Sequence, residues 1–454
     1  MARGKKKETL TPEERLQVAL VPESEQPYKM PGNWCWMRGS AFLKSMETKR
    51  PEGEVFRYID IDSIDNKRQQ VTNPKILQVK DAPSRASRKL RAGDTVFSMV
   101  RPYLMNIAYI DETISNSIAS TGFYVCTPTE NVNPLYLYYL MTSPYTVDGL
   151  NQYMKGDNSP SIRKDDIENY AYPIPPLPEQ QRIVDRIESL FAKLDEAKQK
   201  AQEALDSFEA RKAAILHKAF TGELTAQWRK EHGVGMESWS WIPLKKCGSW
   251  NGGGTPSMSH PEYWENGTLL WVTSKDMKSD LIEDTLMHTN MLGVENSSAT
   301  YIEEPAVLFV MRSGILRRIF PVCMVKKPFT VNQDLKALVP TVDINLEYLF
   351  WACKANEKQI LEKCMKSGTT VESINTAALR DFEIPIARKN EQTEIVRILD
   401  DLLAKEQQAK EAAEGVLEQI DLIKKAILAR AFRGELGTND PTEESAVELL
   451  KTIM

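Results

Sequence analysis

A long segment of the chain occurs twice. Pro178–Leu224 corresponds to Asn390–Leu436, about 212 residues later. The Glu-Gln and Ile-Val pairs near the start of the first copy recur in the second, and both copies end in Ala-Phe-x-Gly-Glu-Leu. Repeats of this length indicate a duplicated architecture. The chain is therefore predicted to have two equivalent halves that do one thing in two places.

Both copies carry apolar residues at alternating spacings of four and three. The first series is Ile183–Ile215, interrupted only by Arg211, and the second is Ile395–Ile427, interrupted by Glu406. A period of 3.5 residues is typical of helices that pair and supercoil left-handedly. The repeats are therefore predicted to be two long, paired helices.

Such a series forms an apolar seam along one side of a helix. A seam of this kind could also be the dimerisation surface for a second chain. Two seams of matched length in one chain favour pairing within the chain. Antiparallel pairing would relate the halves by a pseudo-twofold axis, and about 40 helical residues would form a rod roughly 60 Å long. Gly222 and Gly434 follow the seams, where glycine commonly ends a helix.

The segments that precede the helices correspond more weakly. Trp34-Cys35-Trp36 matches Trp239-Ser240-Trp241, and Val96–Leu104 resembles Val307–Leu316. Short β-rich runs broken by Gly, Pro, Asn and Asp, with a few helices, predict an α+β domain in each half. The predicted organisation is a first domain at 1–177 with an N-terminal extension at 1–28, a helix at 178–228, a second domain at 229–388, a helix at 389–437 and a tail at 438–454.

Each half contains one locally basic stretch, at 67–91 and at 312–336. Such clusters can neutralise phosphates and anchor a duplex, although a solvated surface loop is the ordinary alternative. Asn, Gln, Ser, Thr and Arg in adjoining loops are the residue types that read base edges. The candidate DNA-binding residues are Lys67, Arg68, Lys80, Arg85, Arg88, Lys89, Arg91, Arg101, Thr255, Ser257, Ser274, Lys275, Arg312, Arg317, Arg318 and Gln333.

The composition is that of an ordinary soluble protein. The 454 residues are 42% hydrophobic and 27% charged, and the chain is long enough for two or three domains. No stretch approaches the roughly 18 apolar residues of a membrane span, and the N-terminus lacks the apolar run of a signal peptide. The six scattered cysteines fit reduced, idle thiols, so a cytoplasmic location is expected. The net charge of −5 does not decide for or against nucleic acid, because a binding footprint is local.

No motif for catalysis stands out. The four histidines are isolated, and no His/Cys cluster has metal-ligand spacing. The run Gly252-Gly253-Gly254 fits neither the P-loop nor the dinucleotide-binding pattern. Neither an Asn-Pro-Pro-aromatic motif nor a convincing nuclease signature is found. Together with the duplication, this favours a bivalent binder that itself holds no metal or cofactor over a catalyst.

The motifs resemble the specificity subunit of a type I restriction-modification enzyme. The start PLPEQQRIV and the end AFTGELT of the first helix carry the resemblance, with GGGTPS (Gly252–Ser257), EYWENGTLLWVTSKDM (Glu262–Met277), VNQDLKAL (Val331–Leu338) and SGTTVESIN (Ser367–Asn375). The first half lacks the Gly-Gly-x-Thr-Pro motif, and the second helix lacks the Pro-Leu-Pro-Glu-Gln start. Residues up to about Tyr28 lie outside the resemblance and are expected to be mobile.

The resemblance implies two target-recognition domains, each reading one half of an asymmetric bipartite DNA sequence. It implies that the helices set the length of the unread spacer and dock two methyltransferase subunits. Those subunits would flip an adenine and methylate it from S-adenosylmethionine. Two motor-nuclease subunits would complete the restriction complex, so the chain itself would be non-catalytic.

Two other functions compete with this one. The chain could be a nuclease or methyltransferase with a divergent site, or a coiled-coil scaffold whose globular heads bind proteins. Activity of the purified chain without partners would favour the first alternative. A neighbouring methyltransferase gene would favour the specificity subunit.

Overall fold

The computed structural model describes residues 11–366 and 371–451, which form two compact units. The first unit comprises residues 11–202 and 415–451, and the second comprises 203–414. The beginning of the second-half motif, Ser367–Thr370, lies outside the described residues. Each unit therefore combines one globular segment with parts of both repeated helices.

The first globular segment alternates short strands with short helices. Its helices are α1 Pro12–Ala19, α2 Gly39–Phe42, α3 Pro134–Thr142, α4 Pro144–Asn151 and α5 Lys164–Asn169, followed by the long α6 Leu177–Asp206. Its strands are β1 Cys35–Arg38, β2 Val55–Ile59, β3 Ile64–Asp65, β4 Gln70–Val71, β5 Lys75–Gln78, β6 Ala86–Lys89, β7 Thr95–Ser98, β8 Ile107–Tyr109, β9 Ile118–Ser120, β10 Phe123–Cys126 and β11 Ala171–Ile174. The sheets have the orders β5-β2-β9-β6, β10-β7-β8, β1-β11 and β3-β4.

The second globular segment is built in the same way. The end of the first repeat, α7 Phe208–Phe220, precedes it. Its helices are α8 Ala226–Glu231, α9 Met291–Glu295, α10 Leu346–Ala355, α11 Glu357–Cys364 and α12 Thr376–Asp381, and the long α13 Lys389–Ala431 follows. The last helix, α14 Ala446–Lys451, belongs to the first unit. Its strands are β12 Ser240–Pro243, β13 Gly248–Asn251, β14 Leu269–Val272, β15 Leu281–Ile282, β16 His288–Thr289, β17 Ala306–Val310, β18 Val322–Val325, β19 Phe329–Val331, β20 Leu335–Pro340 and β21 Glu383–Ile386. The sheets have the orders β13-β20-β17-β18-β15, β16-β14-β19 and β12-β21. The predicted α+β class is confirmed in both segments.

The same local rules place corresponding elements in the two units. The side chain of Asn133 accepts backbone N–H groups at the start of α3, and Asn345 does so at the start of α10, which satisfies otherwise unpaired helix donors. The parallel pair β2·β9 corresponds to β14·β19. Strand β17 is buried along its whole length, as expected for a central apolar strand covered on both faces.

A buried glutamine fixes each globular segment to the start of its own long helix. Gln180 donates to the carbonyls of Asn131 and Pro175 and accepts from the N–H of Asn133 at 2.7 Å. Gln392 repeats these three bonds at the corresponding positions of the second unit, accepting from the N–H of Asn345 at 2.8 Å. Buried amide groups must be hydrogen-bonded, so the Glu-Gln pair of the repeat has a direct structural role.

The end of the other repeat completes each unit. Phe432, at the end of the second repeat, packs edge-on against Tyr136 of the first globular segment at 5.4 Å. Phe220, at the end of the first repeat, packs against Tyr348 of the second segment at 5.3 Å. Each unit thus contains the start of its own long helix and the end of the other.

In the first unit, α6 and the last part of α13 run antiparallel. The Lys198 ammonium lies 4.0 Å from Asp421, and the Lys424 ammonium lies 2.6 Å from Asp195. Residue numbers therefore fall along one helix as they rise along the other. The seam is looser than predicted here, because Ile423 is 43% exposed.

In the second unit, α7 and the first part of α13 also run antiparallel. Arg211 binds Glu406 at 2.8 Å, and the Lys410 ammonium lies 4.9 Å from the centre of the Phe208 ring. The predicted antiparallel pairing is confirmed within each unit. Both glycines that follow the seams have left-handed backbones, Gly222 at φ 83° and Gly434 at φ 74°, as predicted for helix ends.

The first repeated helix is not continuous, in contrast to the single helix predicted at 178–228. It breaks at Ser207, between α6 and α7. The Ser207 hydroxyl donates to the carbonyl of Glu203 at 2.9 Å, and the Arg211 guanidinium donates to that of Ala204 at 3.1 Å. Side-chain donors thus compete for carbonyls of the preceding turn, which disturbs the helix locally.

The expectation of a mobile N-terminal extension is wrong for the described residues 11–28. Thr11 and Glu14 form a capping box that begins α1. Leu20 then forms a β-bridge with Met37 of β1, and the Tyr28 hydroxyl donates to the carbonyl of Phe432 at 2.7 Å. This segment is an integral part of the first unit.

All six cysteines are free and buried, as predicted for idle thiols. Burial raises the pKa of Cys35 to about 12 and that of Cys247 to about 11. Over the described ranges, no helix has the length and apolar character needed to cross a bilayer. In the same part of the chain, no group of three or more His, Cys, Asp or Glu side chains is arranged to hold a metal ion.

Candidate nucleic-acid interface

In the second unit, four candidate residues follow strands of two different sheets. The ends of these strands lie close together and form one edge of the unit. Thr255 follows β13, Ser274 follows β14, Arg312 follows β17 and Gln333 follows β19. Strands β13 and β17 both pair antiparallel with β20, and β14 and β19 run parallel to each other. Side chains scattered over 78 positions, such as Thr255 and Gln333, therefore meet.

The contact between Thr255 and Gln333 is direct. The Thr255 hydroxyl donates to the Gln333 side-chain carbonyl at 2.8 Å. A side-chain amide oriented in this way keeps its N–H₂ group free to donate outward, the arrangement that base-edge recognition requires. This pair is the best-defined polar element of the candidate surface.

The glycine run before Thr255 allows its loop to lie against strand β19. A Cβ added at Gly253 would stand 1.8 Å from the carbonyl oxygen of Val331, and one at Gly254 would stand 2.0 Å from the Ser298 hydroxyl. Only glycine permits such close approach. The glycines thus allow this loop to pack closely against the protein.

Backbone bonds connect the other two loops to the same edge. The N–H of Asn332 donates to the carbonyl of Val272 at 3.0 Å, which joins the Gln333 loop to the loop of Ser274. The N–H of Met311 donates to the carbonyl of Asp334 at 2.8 Å, which brings Arg312 alongside. The Arg312 side chain is exposed.

The Asp276 carboxylate shapes the loop that carries Ser274 and Lys275. It accepts from both the N–H and the hydroxyl of Thr273, at 2.8 and 2.7 Å. The closed turn leaves Lys275 exposed and Ser274 half-buried. The turn held by Asp276 therefore carries the Lys275 ammonium and the Ser274 hydroxyl on its surface.

The remaining second-half candidates are less central. Arg317 pairs with Glu372, so its charge is partly compensated. Arg318 is exposed and ends the 3₁₀ turn Gly314–Arg317. Ser257 is exposed, and its hydroxyl lies 2.7 Å from that of Ser259.

In the first unit, Arg101 follows β7, the counterpart of β17. Its backbone is left-handed at φ 47°, and its guanidinium donates to the carbonyl of Asn158 at 2.7 Å. A non-glycine residue in this conformation is uncommon and is retained where the surroundings hold it. The structural counterpart of Arg312 is Val100 and not Arg101, because Val100 forms a β-bridge with Ser161 as Arg312 does with Ser373.

The other basic residues of the first half are dispersed. Arg85 lies just before β6, at the end where β9 finishes, and its carbonyl accepts the N–H of Thr121. Arg88 is half-buried within β6. Lys89 and Arg91 lie towards the opposite end of the same strand pair. The basic stretch therefore does not form a single surface.

Glu47 neutralises two of these cations. Its carboxylate binds Lys89 at 2.8 Å and also binds Arg91. The hydrogen bond from Arg91, followed by that from Lys89, lowers the pKa of Glu47 to about 2. The carboxylate thus stays charged until the pH falls towards that value, and both ion pairs persist at neutral pH.

Lys67, Arg68 and Lys80 are exposed on turns beside the sheet. Lys67 and Arg68 occupy the tight turn between β3 and β4, where both backbone N–H groups donate to Asp65 at 3.0 Å. Lys80 lies in the 3₁₀ turn that follows β5. None of the three has a buried partner among the described residues.

Sequence reasoning did not select two exposed side chains beside Arg101. Tyr103 is 47% exposed and Leu104 is 40% exposed on the 3₁₀ turn that Arg101 begins. Their counterpart turn in the second unit buries Leu316. Only the exposure of this turn reveals them, because an apolar Tyr-Leu pair in sequence is typical of a core.

Comparison with known proteins identifies the family. Residues 37–205 and 236–415 match the model of the type I restriction modification DNA specificity domain. The EcoR124I/EcoR124II specificity subunit of Escherichia coli is 38% identical over 160 residues, which is 35% of this chain and 40% of that protein. The HindI specificity subunit of Haemophilus influenzae is 23% identical over 428 residues, covering 80% of this chain and 90% of that one.

A solved structure has the same fold. The HsdS subunit from Thermoanaerobacter tengcongensis superposes with a TM-score of 0.70 at 25% sequence identity, covering 91% of this chain and all of that chain. The match to the first relative spans only about two fifths of its length, whereas the family model covers most of this chain. The protein belongs to the type I restriction-modification DNA specificity family.

Proposed function

We propose that this chain is the DNA-recognition subunit of a type I restriction-modification enzyme, with each globular segment reading one part of a bipartite site. The observation that carries the proposal is the edge of the second unit, where Thr255, Ser274, Arg312 and Gln333 converge from loops after four different strands. Hydroxyl, amide and guanidinium groups are those that read base edges in the major groove. Rigid strands beneath these loops would hold them at fixed positions.

The two surfaces would read different sequences. The first unit offers Arg101 with Tyr103 and Leu104 on one turn, whereas the second offers a polar set around the Thr255–Gln333 pair. Equivalent backbones with unlike side chains give the same geometry of approach with different base contacts. An asymmetric, two-part target follows from this difference.

The long helices would set the spacer and dock the partners. Within each unit, the start of one repeat and the end of the other are joined to the globular segment by buried contacts, including those of Gln180 and Gln392. A helix rigidly joined at its ends can act as a ruler. Two methyltransferase subunits would bind along these helices, and two motor-nuclease subunits would complete the restriction complex.

The chemistry would belong to the partners. The methyltransferase subunits would bind S-adenosylmethionine and methylate an adenine in each half-site. This chain would contribute recognition only and hold no cofactor. Purified chain that methylates or cleaves DNA without partners would contradict this division of labour.

The test is single-molecule methylation sequencing of DNA from cells that express this chain with its cognate methyltransferase. Cells with the methyltransferase alone serve as the control. The expected result is a new methyladenine motif in two short parts separated by an unread spacer of constant length. A continuous motif, or no motif despite a stable complex, would contradict the proposal.

The ruler has its own test. Four residues inserted after Gln202 and four after Val416 would lengthen both helices by about 6 Å. At about 3.4 Å per base pair, the spacer should grow by about two base pairs while both half-sites stay the same. An altered half-site with an unchanged spacer would show that the helices do not set the distance.

A further inference from the structure

The two units treat one pair of equivalent tryptophans differently. Trp36 in β1 pairs with Pro173, and Trp241 in β12 pairs with Pro385, so the two residues hold the same place in their two-stranded sheets. Trp36 is 2% exposed, whereas Trp241 is 64% exposed. A large aromatic side chain left open at a sheet edge is a common feature of binding surfaces.

The backbone at Trp241 is also open. Proline has no N–H, so its partner in an antiparallel ladder is a non-hydrogen-bonded pair whose N–H and C=O groups point away from the proline strand. In the first unit that outward carbonyl, on Trp36, accepts the N–H of Val21 at 3.0 Å. Within residues 11–366 and 371–451, no strand lies on the corresponding edge of β12.

The chain itself shows what covers such an edge. In the first unit the N-terminal segment runs along β1, where Leu20 forms a bridge with Met37. The Tyr28 ring then packs edge-on against Trp36 at 4.8 Å, and the Trp36 indole N–H donates to the carbonyl of Tyr28 at 3.2 Å. A short extended segment followed by a tyrosine therefore closes the edge and buries the tryptophan.

The second unit has a groove where Tyr28 would lie. In the first unit the Tyr28 hydroxyl donates to the carbonyl of Phe432, whose counterpart in the repeat is Phe220. A groove of about 450 Å³ beside Trp241 is bounded by Phe220, Met236, Pro385 and Gln359. A cavity of this size accepts an aromatic side chain and part of the adjoining backbone.

The aromatic lining is likewise incomplete in the second unit. Tyr145 contacts both Tyr28 and Trp36 in the first unit, at 5.6 and 5.7 Å. In the second unit, α11 takes the place of α4, and it contributes Gln359 to the groove beside Trp241 where α4 contributes a tyrosine. The groove is thus open to an incoming side chain.

We infer that the outer edge of β12, with Trp241 and the adjoining groove, binds an extended segment of a partner polypeptide. The segment adds antiparallel to β12 through backbone hydrogen bonds to the outward groups of Trp241. It places a tyrosine in the groove, with two aliphatic residues about eight positions earlier, as Leu20 and Val21 stand before Tyr28. This strand addition is independent of the DNA-recognition function and would hold whichever sequence the chain reads.

The probe is a fluorescein-labelled peptide of residues 17–30, QVALVPESEQPYKM, titrated with the full chain and followed by fluorescence anisotropy. Its own site in the first unit is already occupied by the same segment of the chain. We expect saturable binding that Trp241→Ala weakens by about tenfold or more, the effect of removing an aromatic hot spot. A peptide carrying Tyr28→Ala should lose a similar factor.

Two further variants complete the test. Ala213→Arg places a bulky side chain in the groove from the exposed face of α7 and should weaken binding while leaving Trp241 intact. Val342→Ala removes another exposed apolar side chain, 85% exposed, and should change nothing. Non-saturable binding, or affinity unchanged by both Trp241→Ala and Ala213→Arg, would overturn the inference. Concentration-dependent dimerisation of the chain that disappears in Trp241→Ala would also overturn it, because the occupant would then be a second copy.

Discussion

Arg211 and Glu406, the residues that interrupt the two apolar seams, bind each other at 2.8 Å in the second unit. What is an irregularity in each repeat taken alone is a matched pair when the helices are antiparallel. The half-buried positions make the pair depend on both partners, since a single remaining charge would face an apolar seam.

Replacing one member of this pair should destabilise the chain, and replacing both should not. Arg211→Leu or Glu406→Leu alone should lower the free energy of unfolding by about 1 kcal/mol, because the other charge loses its partner. The double variant should recover most of that loss, since an apolar pair can replace an ion pair at little cost. Urea unfolding of the four chains measures the coupling, and additive losses would show that the two residues act independently.

The buried ion pair between Arg229 and Glu391 should contribute much more. Glu391 is fully buried and accepts from Arg229 and Thr225, both at 2.7 Å. Arg229→Ala leaves a buried carboxylate without its cation and should cost about 3 kcal/mol or more. Arg397→Ala, which removes the exposed partner of Glu394, is the matched control and should have little effect in the same unfolding measurement.

Two glycines should respond in opposite ways to alanine. Gly415→Ala adds a methyl group that meets no atom within 4 Å on a helix, so it should raise the free energy of unfolding by about 0.5–1 kcal/mol. Gly253→Ala would place a Cβ against the backbone of β19 and displace the Thr255 loop. We expect it to abolish recognition of the second half-site while the first is still methylated. Urea unfolding measures the effect of Gly415→Ala, and methylation sequencing measures that of Gly253→Ala. An unchanged motif in Gly253→Ala would remove the Thr255 loop from the interface.

Basic residues should differ in their effect on DNA binding. Arg312→Ala should weaken binding and reduce the slope of log affinity against log salt by about 1, the effect of losing one phosphate contact. Lys89→Ala should change the slope less, because Lys89 is already paired with Glu47 at 2.8 Å. Gel-shift titrations over a salt series, with the methyltransferase present, measure both slopes. An Arg312→Ala slope equal to that of the unmodified chain would show that Arg312 lies off the DNA.

The thiols should resist labelling in the folded chain. Only the thiolate reacts, and burial raises the pKa of Cys35 and Cys323 to about 12, so both stay protonated between pH 7 and 9. A thiol reagent at pH 8 should label none of the six cysteines in native protein and all of them in denaturant. Rapid labelling of Cys35 in native protein would show that its surroundings open readily.

The sequence pattern predicts the helices better than the recognition surface. A heptad series is a local property, so Ile183 and Ile395 identify their helices without further information. The break at Ser207 depends on which donors reach the Ala204 carbonyl, and a periodic pattern does not contain that information. The pairing of the helices could be predicted because two apolar seams of equal length in one chain are expected to pack against each other.

The candidate site shows the opposite situation. Thr255 and Gln333 could be chosen by residue type, but their contact depends on β13 and β19 ending at the same edge. Lys89 and Arg91 were selected because they lie in a basic stretch of the sequence. Their ion pairs with Glu47 could not be predicted, because Glu47 is far from them in sequence. Tyr103 and Leu104 could not be chosen at all, because their exposure is a property of the folded turn.

The exchange of helix ends between the repeats has a consequence for fragments of this chain. Phe432 closes the first globular segment and Phe220 closes the second, so a cut near Ala226 would give two pieces that each lack a wall of one core. Neither piece could reach its native state alone, yet each carries the part that the other is missing. For such fragments, folding and association would be a single event, and their stability would depend on concentration as that of an obligate dimer does.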